Sequence, residues 1–217
     1  MTGQQNIIQG LDRIAEWSKI HPEQGAELVS GISPIEIEKI LRDFPFKIPS
    51  ELRQLYEHGY TSMCSGPNLS RFIDIKDSSN NYNGFWTSNR IPRNELTELG
   101  RKHLTFNKDF ITDEQHLKNI DLYPPDGCNL PIGYGDGKET YFVRCYQEEK
   151  DYSPVLDRGI GLPLAVYTNS LTDLILIWAE CFEAGAYQSV FDEENNFYYL
   201  ENDWNKIDSI FKKYNLT

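Results

Sequence analysis

The chain has 217 residues with 33 Asp and Glu against 21 Lys and Arg, a net charge of −12 that argues against general nucleic-acid binding, because such affinity rests on cations at phosphates. Hydrophobic residues make up 39% and aromatic residues 13%, too much for a disordered chain and enough for one domain that needs no disulfide or metal to fold. The longest apolar run, Leu174 to Ala179, is too short to span a membrane, and Asp12, Arg13, Glu16 and Lys19 stand where a secretory signal needs an apolar stretch, so a cytoplasmic protein is expected.

Ile7, Leu11 and Ile14, flanked by Ile8 and Ala15, recur at helical spacing and predict an opening amphipathic helix that stops near His21 and Pro22. Ser33, Pro34 and Glu36 supply an N-cap, a first-turn proline and a capping-box acid for a helix over 34–44, which Pro45 ends. A third helix over 50–58 follows Ile48 and Pro49, buries Leu52, Leu55 and Tyr56, and stops at Gly59. Alternation over 71–75 predicts a half-buried strand, and 80–89 reads as a polar loop carrying Phe85 and Trp86. Residues 90–125 are ambiguous: Asn94 could cap a short helix through Gly100 and Thr112 another through Ile120, before a turn at Pro124 to Gly127.

Strands are expected over 129–134, 140–146 and 162–167, with a turn at Gly133 to Gly137 and an acidic loop at Glu148 to Asp151. In the strand 140–146, Tyr141, Val143 and Cys145 share one face and Phe142, Arg144 and Tyr146 the other. Ser170 and Asp173 cap a long apolar helix over 170–184, the aromatics of 197–200 suggest one more strand, and Ile207, Ile210, Phe211 and Tyr214 predict a closing helix. Helices, then strands, then helices indicate α+β: a single domain with a mostly antiparallel sheet packed against helices, plus extra N- and C-terminal helices.

Motifs of catalysis are weak by comparison. Gly133 to Lys138 resembles a phosphate loop, but Ile132 stands where the first glycine belongs and Glu139 where Ser or Thr belongs, so a β-turn is expected. His21, His58, His103 and His116 lie in no catalytic motif, and His58 reads as a helix C-terminal cation. Asp136 and Glu139 lack the alternating oxygen ligands of a calcium loop. Cys64, Cys128, Cys145 and Cys181 have no paired spacing and read as reduced, mostly buried thiols. Neither catalysis, metal nor cofactor is expected.

The acidic distribution is more informative. From Glu180 to Asp203 there are seven acids and no Lys or Arg, interleaved with Phe191, Phe197, Tyr198 and Tyr199. Acids beside aromatics fit a protein-binding patch, since aromatics anchor interfaces and charges steer encounter. Asp192, Glu193, Glu194, Phe197 and Tyr198 are the first candidates for contact with a partner. Tyr134, Asp136 and Trp86 are second. Reversing Asp192, Glu193 and Glu194 to Lys is expected to slow association with a basic partner and leave the fold intact.

The order of motifs resembles the SUKH superfamily, which includes the yeast cell-wall-assembly regulator and bacterial immunity proteins. The resemblance rests on Gly31, Ser33 and Glu36 at a helix start, Ile48 and Pro49 before a helix ending in His58 and Gly59, and Leu130, Pro131, Ile132 and Gly133 leading into Gly135, Asp136 and Gly137. A Ser-initiated helix from Ser170 to Phe182 closes it. It spans 26–185, leaving 1–25 as a helical extension and 186–217 as a strand and helix packed on the same domain. His58 departs from the family's asparagine, and 66–129 matches poorly. The resemblance implies a non-enzymatic immunity protein that neutralises a cognate toxin; the acidic charge suits a basic toxin domain as partner, and charge and hydropathy speak against a nucleic-acid or membrane partner. The alternatives are a scaffold for an endogenous partner and, behind it, an enzyme acting on a small molecule or sugar.

Overall fold

The computed structural model describes residues 7–62 apart from 43 and 45, then 127–134, 140–158 and 165–214. Its organising element is the helix Leu171–Glu183, in which Leu174, Ile175, Leu176, Ile177, Trp178, Ala179, Cys181 and Phe182 are all buried. A helix apolar on every side must be surrounded. Ser170 starts it as the sequence predicts, its Oγ accepting from the Asp173 amide at 2.9 Å.

In chain order the helices are α1 (Ile7–Ile20), α2 (Pro34–Ile40), α3 (Ser50–His58), α4 (Leu171–Glu183) and α5 (Trp204–Lys213), with a 3-10 turn at Pro22–Gln24. The strands are β1 (Glu27–Ser30), β2 (Gly59–Ser62), β3 (Gly127–Tyr134), β4 (Thr140–Tyr146), β5 (Val155–Arg158), β6 (Ala165–Thr168), β7 (Tyr187–Asp192) and β8 (Phe197–Asn202). All their pairings are antiparallel: β1 with β2, a four-stranded meander β3-β4-β5-β6, and the hairpin β7-β8. The architecture is α+β, with the described strands in three sheets.

One hydrophobic cluster joins α1 (Ile7, Leu11, Ile14, Trp17), α3 (Leu52, Leu55), the meander (Leu130, Val143, Val155), α4 and α5 (Ile207, Ile210). Alternation along β4 sends Tyr141, Val143 and Cys145 into it, while Phe142 on the opposite face meets its cross-strand partner Leu156 in a small second cluster. Both termini of the described chain therefore pack into the core that holds the central segments. Aromatic rings bridge the layers: Tyr141 lies 5.9 Å from Trp178, and Tyr167 lies 5.5 Å from Phe211.

Helices α1 and α4 approach closely because Gly10 has no side chain. A Cβ there would stand 2.8 Å from Ile175 Cγ2 and 3.3 Å from the Ile175 carbonyl carbon. Gly10→Val is expected to destabilise by about 1–3 kcal/mol through overpacking, seen as a lower urea midpoint at unchanged slope.

A buried acid fixes the start of α4. Glu51, in the first turn of α3, is 2% exposed. Its Oε1 accepts from the amides of Ser153 (2.9 Å) and Leu171 (3.0 Å), and its Oε2 from Thr172 (2.8 Å). Two of these donors are otherwise unpaired first-turn amides of α4, so one carboxylate ties α3, the β4–β5 connection and the central helix together.

The predicted helix over 34–44 is shorter: its helical residues are Pro34–Ile40, with a turn at Leu41 and Arg42. The strand placed at 162–167 is described over Ala165–Thr168, and β5 lies before it, unanticipated. The strand at 71–75, the loop at 80–89, the helices after Asn94 and Thr112, and the turn residues 124–126 and 135–137 lie outside the described residues. No described helix is long and apolar enough to cross a membrane. Cys145 and Cys181 are buried, and burial pushes the Cys181 thiol up to about 12.

Candidate functional site

The hairpin β7–β8 brings the first candidates together. Its register runs from Tyr187 opposite Asn202 to Asp192 opposite Phe197 without a bulge. At its base Tyr187 and Leu200 enter the core, Tyr187 lies 5.0 Å from Phe182, and Gln24 Nε2 donates to Ser189 Oγ at 2.7 Å. These residues share one face by alternation, so that face is the anchored one.

Towards the tip the same face surfaces. Phe191 and Tyr198 are cross-strand partners with ring centroids 4.9 Å apart, yet each is more than 40% exposed. On the opposite face Phe197, 49% exposed, lies 6.2 Å from Tyr199. The tip therefore shows aromatic surface on both sides, where isolated two-stranded ribbons gain little stability from water-exposed rings.

The acids divide into two groups. Glu183 forms a pair with Arg13, Oε1 accepting from Nε at 2.8 Å, and this neighbour holds its carboxyl below the usual range. Glu180 pairs with Lys213, and Asp203 caps α5 by accepting from the Lys206 amide at 3.2 Å. Three of the seven acids are thus paired with cations, Glu183 with Arg13, Glu180 with Lys213 and Asp203 with Lys206. Asp192, Glu193, Glu194 and Glu201 remain on the hairpin, so its field is weaker than the sequence count of seven implies.

Asp192 also has an internal task. Its Oδ1 accepts from the amides of Glu194 and Asn195, both at 3.0 Å, and its Oδ2 from Asn195 Nδ2 at 2.8 Å. These bonds, with the Asn195 side chain first, lower its pKa. Asn196 completes the turn at φ 56°, a left-handed conformation that asparagine tolerates. Lys at 192 would remove an acceptor that the sequence did not reveal, so this reversal is expected to loosen the turn. Glu193 and Glu194 are exposed turn residues and remain suitable for charge reversal.

Tyr134 lies at the end of β3 opposite Thr140, while Asp136 and Trp86 lie outside the described residues. His58 does more than cap: its Nε2 is 3.0 Å from Asp12 Oδ1, linking the end of α3 to α1. An open groove of about 790 Å³ follows the outer side of α1, lined by Ile8, Trp17 and Ile20, with Arg13 and Glu183 beside them. Sequence reasoning missed β7, although the turn residues Asp192, Asn195 and Asn196 between two aromatic runs are a hairpin signal. No protein-family model matches the chain, and no curated protein matches its sequence.

Proposed function

We propose that this chain is a non-enzymatic protein-binding domain acting in the cytoplasm, specifically an immunity protein that neutralises a cognate toxin. The observation that carries the binding role is the β7–β8 tip, which combines exposed Phe191, Phe197 and Tyr198 with Glu193 and Glu194, which form no ion pair among the described residues. Aromatic anchors supply contact area, and the surrounding charge accelerates encounter with a basic partner. The toxin-neutralising role is supported by the resemblance to the SUKH superfamily carried by Gly31, Ser33, Glu36 and Gly59.

Co-expression with any toxin-like gene found beside its own tests this role. The wild-type chain is expected to restore growth, whereas Phe197→Ser with Tyr198→Ser loses at least about tenfold in affinity, as removal of anchor residues does. The circular dichroism spectrum should remain that of the folded protein. Undiminished protection and binding by the folded double variant would overturn the assignment of this surface.

A further inference from the structure

We infer that the outer edge of β8 receives an extended, cationic strand from the partner, resting on the binding role proposed above. The hairpin is a two-stranded sheet, and among the described residues no backbone hydrogen bond joins the outer edge of either strand to another element. Open edges in native proteins are usually blunted by lysine, proline or a bulge. The residues of β8, Phe197 to Asn202, include neither, and the β7–β8 register is regular.

The side chains of β8 specify the occupant. Phe197, Tyr199 and Glu201 alternate along the solvent face, and Tyr198, Leu200 and Asn202 along the anchored one. Glu201 is exposed and forms no ion pair among the described residues. On β7 the corresponding acid, Asp192, is already engaged in the turn. A strand laid against β8 would place a cation beside Glu201 and apolar or aromatic side chains beside Tyr199 and Phe197. Such neighbouring pairs are the unit of sheet stabilisation, and arginine gains further from an adjacent ring. The backbone edge provides affinity and the alternate side chains provide selection, as in other strand-addition complexes.

The test uses the whole chain and three capped peptides: Arg-Thr-Val-Thr-Tyr-Thr, the same peptide with Glu for Arg, and a version with Pro for Val. Titrations are followed by amide chemical shifts and hydrogen exchange. The first peptide is expected to shift and protect amides of 197–202, with affinity falling as salt rises. Glu201→Lys should weaken it about tenfold, and the other two peptides should bind far less. Equal binding by the proline peptide, or shifts that avoid β8, would overturn strand addition. Failure of the peptide together with loss of rescue by the Phe197 and Tyr198 variants would reject the edge and retain the surface. Successful, Glu201-dependent peptide binding with undiminished rescue would retain the edge and reject the surface as the toxin site.

Discussion

Replacing Glu51 is expected to cost more than replacing any other acid described, in the order Glu51→Leu above Glu51→Gln. The carboxylate is 2% exposed and accepts from the amides of Ser153, Leu171 and Thr172. Leucine leaves three buried N–H groups without this acceptor, each worth about 1–3 kcal/mol when unsatisfied, and relief of a buried charge offsets only part of that. A net loss of about 3–5 kcal/mol is expected, a large share of the roughly 5–15 kcal/mol of a typical domain. Glutamine keeps one carbonyl able to take the Ser153 and Leu171 amides but turns an NH2 toward Thr172, for a loss of about 1–3 kcal/mol. Urea unfolding of the three proteins checks the order.

The pH dependence gives a second readout. Burial pushes the Glu51 carboxyl up, against the three amides that pull it down. As pH rises from the ordinary carboxylate range through this raised value, the unfolded chain gives up the proton first. The folded state then holds more protons, so the contribution of this group to stability falls across that window and is flat above it. Glu51→Gln lacks this component. The gap between wild type and Glu51→Gln should therefore be widest in acid and narrow as pH rises. A gap that widens would show that the amides outweigh burial.

Much of this architecture is legible in the sequence because it is local. Ser33 and Ser170 announce their helices through contacts three residues away, and the structure finds both, at the amides of Glu36 and Asp173. Glu51 was not legible. It occupies a first-turn position where an acid ordinarily faces solvent and complements the helix dipole, and only the fold brings residues 153, 171 and 172 to it. Strands β1 and β2 escaped for the same reason: each is four residues long, and they are strands through pairing with each other. At the candidate site the sequence revealed the composition but not the net field. Arg13 and Lys213, distant in the chain, reach Glu183 and Glu180 and remove them from the acidic surface.

Substituting Gly31 or Gly59 should produce the other large effect, and the two should not add. A Cβ on Gly31 would stand 1.9 Å from the Glu57 carbonyl oxygen, and one on Gly59 would stand 2.3 Å from the Val29 oxygen. Gly59 also has φ +86°, where an L-residue pays a conformational cost of its own. These obstacles are backbone atoms, which cannot rotate aside as a side chain would. They belong to the end of α3 and the end of β1, held together by Ser30 opposite Gly59 and by the Ile32 amide donating to the Tyr56 oxygen at 2.9 Å. The two glycines that carry part of the family resemblance therefore have a packing reason to be glycine, independent of any partner. Each Ala variant is expected to lose about 3 kcal/mol or more, the range of severe steric and backbone lesions. Once either methyl group has pushed the two segments apart, the second meets less resistance. The double variant should then fall short of the summed single losses by about 1 kcal/mol or more, beyond the few tenths expected of independent sites. Denaturant unfolding of the two single variants and the double variant measures this directly, and strict additivity would mean that the segments do not share one contact.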